Sequence, residues 1–181
     1  MSSILTQNYF QLFSLPERYR IKRDELETRY RELQRRVHPD RFAAAGDQER
    51  RLSVQQAAQI NEAYATLRDP LRRGRYLLSL RGHGVDDPQA SHQDPEFLMQ
   101  QMELREALGE VRSQPDPLAA LDRLARDVRD QYQDLEEGLT QALDNADDPQ
   151  AALTIVLRMQ YFTRLQNEVR ELGADLEDEL F

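Results

Sequence analysis

The chain has 181 residues, 39% hydrophobic and 31% charged, with a formal net charge of −9, no cysteine and no tryptophan. That length allows one or two domains with a modest core, and few glycines and sparse strand formers favour an all-α fold. The lack of cysteine excludes disulfides, thiolate metal sites and cysteine catalysis.

Charge is divided unevenly. Residues 1–80 hold 15 Lys+Arg against 10 Asp+Glu, a net of +5, whereas 81–181 hold 9 against 23, a net of −14. Such a split marks two modules with different electrostatic partners. The arginines of the first half lack the density and aromatic interleaving of a nucleic-acid groove, so no nucleic acid is expected. Nor is a membrane, because no apolar run reaches about eighteen residues. The start, MSSILTQNYF, has neither a basic flank nor an apolar signal core, so the expected location is the bacterial cytoplasm.

The segment NYFQLF places Tyr9, Phe10 and Phe13 on a short helix closed by Ser14-Leu15-Pro16. A longer helix is predicted from Lys22 to Val37, because Leu26, Tyr30, Leu33 and Val37 recur at intervals of four, three and four. Asp24 and Glu25 suit its first turn, although Lys22 is a poor N-cap. Arg31 and Arg35 lie one turn apart, off the apolar stripe, and face solvent. Pro39 forces His38 out of helical geometry, which ends the helix. After a loop, RFAAAGDQE, a third helix carries Ala57, Ile60, Tyr64 and Leu67 as its inward stripe. Asp69-Pro70 stops it and starts a fourth helix through Tyr76, Leu77 and Leu78.

Residues 81–95, RGHGVDDPQASHQDP, read as a linker between a module at 1–80 and one at 96–181. The three helices that follow open alike, on Asp94-Pro95, Asp116-Pro117 and Asp148-Pro149, an N-cap acid before a proline at the first helical position. The middle one carries a heptad seam of Leu118, Leu121, Ala125, Val128, Tyr132, Leu135 and Leu139, and about 28 residues make it roughly 40 Å long. The last offers Ile155, Met159, Phe162, Leu165, Val169 and Leu172 to the same core. The first has two faces. Phe97, Leu104, Leu108 and Val111 share one direction, while Leu98, Met99 and Met102 point well away, bordered by Glu103, Glu106 and Glu110. The residues alone leave two readings of this outward face, a partner-binding surface or packing beneath other parts of the chain.

With its flanking helices, the tripeptide His38-Pro39-Asp40 resembles the loop of the J-domain family of co-chaperones. The segments YRELQRRVHPDRF and INEAYATLRDPLRRGRYLLSLRG, with EFLMQQMELREALGEV beyond them, are similar to the HscB (Jac-type) branch over nearly the whole chain. The resemblance implies an N-terminal J-domain, an antiparallel helical hairpin with its loop, followed by an elongated three-helix bundle. It also implies stimulation of the ATPase of a DnaK-class chaperone, usually HscA, and delivery of the iron–sulfur scaffold protein IscU for cluster transfer. His38, Pro39, Asp40, Arg31, Arg35, Arg36 and Arg41 are thereby assigned to the chaperone contact. Leu98, Met99, Met102, Glu103, Glu106, Glu110 and Tyr161 are assigned to the scaffold contact, Tyr161 replacing a phenylalanine. Val37, Gly74 and Lys22 depart from the family pattern.

A general J-domain co-chaperone for other clients is the alternative, but it usually brings Gly/Phe-rich and cysteine-rich segments that are missing here. An enzyme built on His38 and Asp40 lacks a nucleophile, a glycine loop or a metal set. No cofactor or metal is expected: His83 and His92 fall in the linker, read as solvated, and no histidine has ligand spacing.

Overall fold

The computed structural model describes residues 4–38, 46–84 and 94–179, and every regular element among them is helical. Two compact units divide the chain, residues 1–81 and 82–181.

In the first unit, α1 (Tyr9–Leu12) opens on a capping box: the Gln11 N–H donates to Asn8 Oδ1 at 2.9 Å, and the Asn8 N–H to Gln11 Oε1 at 3.3 Å. Phe10 and Phe13 are buried, and Tyr9 stacks on Tyr76 at 4.3 Å between ring centroids. Helix α2 (Arg23–Val37) buries Leu26, Leu33 and Val37, with Lys22 at the N-cap making no side-chain hydrogen bond. Helix α3 (Asp47–Arg68) buries Ile60, Ala63, Thr66 and Leu67. It starts earlier than the predicted loop allows. Asp47 and Glu49 belong to its first turn, where carboxylates are favoured by the positive end of the helix dipole. Helix α4 (Pro70–Leu80) is capped by Asp69, which accepts from the Arg72 N–H at 2.7 Å. On its inner face, buried Arg73 donates to the Leu67 carbonyl at 2.7 Å and lies 4.7 Å over the Tyr19 ring. The chain leaves α4 through Gly82 at φ +82°, a left-handed position that suits glycine. His83 is half-buried rather than fully solvated, and His92 lies outside the described residues.

The second unit holds α5 (Pro95–Glu110), α6 (Pro117–Thr140) and α7 (Pro149–Asp178). Each opens on the Asp-Pro device. Asp94 accepts from the Glu96 and Phe97 N–H groups at 3.0 and 3.4 Å, Asp116 from Ala119 at 3.0 Å, and Asp148 from Ala151 at 3.0 Å. Gly138 faces Ile155 and Gly173 faces Leu121, so the late part of each long helix meets the early part of the other and the pair runs antiparallel. Their core is Leu121, Leu124, Val128, Phe162, Leu165, Val169 and Leu176, joined by Leu104 and Val111. Leu124 lies outside the predicted seam, because a bundle core takes a wider stripe than a heptad seam.

Two predicted lengths need correction. Helix α5 stops at Glu110, and Val111 sits in a 3-10 turn (Val111–Ser113) while still reaching the core. Helix α6 is 24 residues rather than about 28, and the rest is a π turn over Gln141–Asn145. That wider turn keeps Ala142 and Leu143 buried before Asp147, at φ +49°, redirects the chain into α7.

Candidate functional site

Two surfaces carry the predicted site residues, one on each unit. On the first, α2 ends as Pro39 requires. His38 adopts φ −58°, ψ 131°, an extended conformation, and is exposed. Arg31, Arg35 and Arg36 are exposed on the same helix, with Arg31 bonded to Glu27 one turn away. Pro39, Asp40 and Arg41 lie outside the described residues.

The flank of α2 is fastened to α3 by the two stripe tyrosines and by polar groups that sequence reasoning missed. Tyr30 stacks on Tyr64 at 4.0 Å, its hydroxyl donates to Asn61 Oδ1 at 3.0 Å, and Gln34 donates to Tyr30 at 3.3 Å and also to Asn61. The apolar stripes bring the two tyrosines together. The signal for the polar part is Gln34, one turn beyond Tyr30, opposite Asn61, three residues before Tyr64.

On the second unit, Leu98, Met99 and Met102 are 42%, 65% and 71% exposed, the large exposed hydrophobics of that unit among the described residues. Leu98, Met102, Glu106 and Glu110 follow one another at intervals of four, a ridge along α5, with Met99 and Glu103 beside it. Glu103, Glu106 and Glu110 are exposed. The structure therefore brings the six α5 residues onto one solvent-facing surface.

Tyr161 is placed differently. It is half-buried on α7, with its ring edge-on to Phe97 at 5.7 Å and to Phe162 at 5.7 Å, and its hydroxyl donates to the Gln101 carbonyl of α5 at 3.2 Å. Burial raises the phenol pKa above its ordinary value, so the hydroxyl stays a donor at neutral pH. These contacts make it a support of α5.

Other groups, absent from the sequence prediction, fix how α5 is presented. Arg105 bonds Glu168 through both guanidinium nitrogens, one of them at 3.0 Å, and its carbon lies 6.0 Å from the Tyr161 ring centre. The hydrogen bond to Glu168 raises the Arg105 pKa further. On the opposite flank, Gln100 donates to Gln131 of α6 at 2.7 Å. At the helix start, Arg158 of α7 bonds the Asp94 carboxylate and lies 5.1 Å over the Phe97 ring. Desolvation pushes the Asp94 pKa up, but the Phe97 and Glu96 N–H groups and Arg158 outweigh it, and the net shift is downward. A long-range pair such as Arg158 with Asp94, 64 positions apart, leaves no local pattern in sequence.

Away from α5, a groove of about 650 Å³ runs between α6 and α7, lined by Leu121, Ala125, Val128, Val169 and Gly173 among others. It holds none of the predicted site residues. Among the described residues no helix is long and apolar enough to cross a membrane, and no cluster of three His, Asp or Glu is placed to hold a metal ion.

Comparison with known proteins follows the same division. A DnaJ domain profile matches residues 8–76, and a profile described as the HSCB C-terminal oligomerisation domain matches residues 93–170. The chain is 43% identical over 174 residues to a co-chaperone protein HscB homolog of Aeromonas hydrophila, covering 96% of this chain and 98% of that one. It superposes on the chaperone HscB from Vibrio cholerae with a TM-score of 0.82 at 41% identity, covering 97% and 100% of the two chains. The human co-chaperone protein HscB gives 0.81 at 31% identity, covering 91% and 81%.

Proposed function

Because this chain belongs to the HscB family of J-domain co-chaperones, we propose that it stimulates the ATPase of a DnaK-class chaperone of the HscA type and delivers to it the iron–sulfur scaffold protein IscU. The observation that carries the delivery half is the exposure of Leu98, Met99 and Met102 beside three carboxylates on a helix whose other side is already packed. A stable helical bundle gains nothing from that exposure. A partner that covers the ridge does, and methionine adapts to the shape it meets. The proposed setting is the cytoplasm.

The chain performs no bond chemistry. Its action on the ATPase is a coupling free energy: the J-domain binds one conformational state of the chaperone better than the other and biases it toward hydrolysis. Arg31, Arg35, Arg36 and Arg41 steer an acidic surface of the chaperone and set association rate and salt dependence. His38, Pro39 and Asp40 engage the ATPase, with Asp40 pairing with a basic group there. The α5 ridge, with Glu103, Glu106 and Glu110 at its border, holds the scaffold protein and raises its concentration near the chaperone's peptide site. Tyr161, half-exposed on α7 against α5, contributes to the same scaffold contact and also holds α5 in place.

A steady-state ATPase assay with HscA, with and without IscU, tests both halves. Stimulation by this protein, further increased by IscU, is the expected result. No stimulation in either condition contradicts the proposal.

A further inference from the structure

Sulfur is unevenly placed in this chain. It has no cysteine and four methionines. Met159 is fully buried in the core, whereas Met99 and Met102 are 65% and 71% exposed. Among the described residues, those two thioethers are the sulfur atoms open to solvent, three residues apart on the α5 ridge. Among the described residues, an oxidant that reacts with exposed sulfur is therefore directed onto the α5 face proposed to hold the scaffold protein.

We propose that Met99 and Met102 form an oxidant-sensitive modification site, at which hydrogen peroxide converts the thioethers to sulfoxides and releases the scaffold protein from α5. This rests on reading α5 as the scaffold-binding face. In the step, a sulfur lone pair attacks one peroxide oxygen, the S–O bond forms and the O–O bond breaks. Sulfur loses two electrons, peroxide gains them, and the proton on the transferred oxygen passes to the departing hydroxide to give water. A sulfoxide is polar and its oxygen needs a donor when buried. One turn beyond them on α5, Glu103 and Glu106 are carboxylates that only accept, and the donor Arg105 is already held by Glu168. With no thiol in the chain, no cysteine intercepts the oxidant first. The first unit holds no sulfur beyond Met1, so stimulation of the chaperone is spared.

The test uses the full chain, hydrogen peroxide, purified IscU and the HscA ATPase. Peptide mass analysis is expected to find one added oxygen on Met99 and on Met102 before any on Met159. Calorimetry is expected to show IscU affinity falling about tenfold or more after oxidation, restored by methionine sulfoxide reductases, with ATPase stimulation in the absence of IscU unchanged. Prior saturation with IscU should slow oxidation of both residues. In Met99→Leu with Met102→Leu, whatever the starting affinity, the ratio of affinities before and after peroxide should return to about one. Full oxidation at both positions with unchanged IscU affinity overturns this inference alone. A reduced, folded chain that does not bind IscU overturns both the inference and the reading of α5.

Discussion

Helices α2 and α5 have similar lengths, 15 and 16 residues, and treat their apolar residues in opposite ways. In α2, Leu26, Leu33 and Val37 are buried, Tyr30 is half-buried, and what remains outside is polar and mostly charged. In α5, Leu104 is the buried side chain, Phe97 and Leu108 are half-buried, and Leu98, Met99 and Met102 stand in solvent. Folding alone accounts for the sorting in α2, since burial of the stripe stabilises and exposed arginines cost little. It does not account for α5. There the apolar surface left open is what a partner can use, whereas the surface of α2 offers mainly charge for steering and orientation.

The largest expected effect breaks the first surface only. His38→Gln is expected to reduce stimulation of the HscA ATPase to the level without co-chaperone, with unchanged helicity and unchanged IscU affinity by calorimetry. Next, Phe162→Ala should destabilise the second unit by about 3–5 kcal/mol, as for other buried aromatic truncations. Thermal unfolding is expected to show that loss while the transition of the first unit stays in place. Leu98→Ala with Met102→Ala removes apolar area from an exposed ridge, so stability should hold. IscU affinity should fall by roughly tenfold to a hundredfold, at about 0.7–1.4 kcal/mol for each truncated side chain. Stimulation without IscU is expected to be unaltered.

Two smaller effects sharpen the account of how α5 is held. Asp94 has a lowered pKa in the folded chain, so its contribution is present above the ordinary carboxylate range, near pH 4. It is lost as pH falls through the folded value. Asp94→Asn should therefore flatten the acid side of the stability profile of the second unit, measured by chemical denaturation, and leave neutral-pH ATPase stimulation intact. Least of all, Tyr161→Phe keeps the ring on Phe97 and removes only the bond to the Gln101 carbonyl, a loss of about 1 kcal/mol or less. IscU affinity should change little. A large drop would mean that the hydroxyl meets the partner directly.

Much of this architecture is legible in sequence because its signals are local. The Asp-Pro pairs at 94, 116 and 148 set the starts of α5, α6 and α7, since cap and proline act within one turn. The apolar period places Leu26, Leu33 and Val37 inward and leaves Leu98, Met99 and Met102 outward. What escapes the sequence is tertiary. The Arg105–Glu168 and Arg158–Asp94 pairs join residues more than sixty positions apart, and a polar residue on a helix does not declare its partner. The setting of Tyr161 is tertiary for the same reason, since family resemblance assigns it to the scaffold contact and only the fold shows its half-buried ring and hydroxyl packed against α5. The π turn after Thr140 is invisible for a different reason. QALDN has no proline or glycine to mark a break, and the wider turn accompanies the burial of Ala142 and Leu143, which only the fold reveals.

The central claim is that one chain carries two separable surfaces, a J-domain loop that drives the chaperone and an apolar ridge that holds the cargo. Steady-state HscA ATPase rates with His38→Gln and with Leu98→Ala plus Met102→Ala, each with and without IscU, test it most directly. The account predicts no stimulation by the first variant in either condition. It predicts normal stimulation by the second without IscU and loss of the added IscU effect. Wild-type stimulation by His38→Gln, or an undiminished IscU effect with the α5 variant, contradicts it.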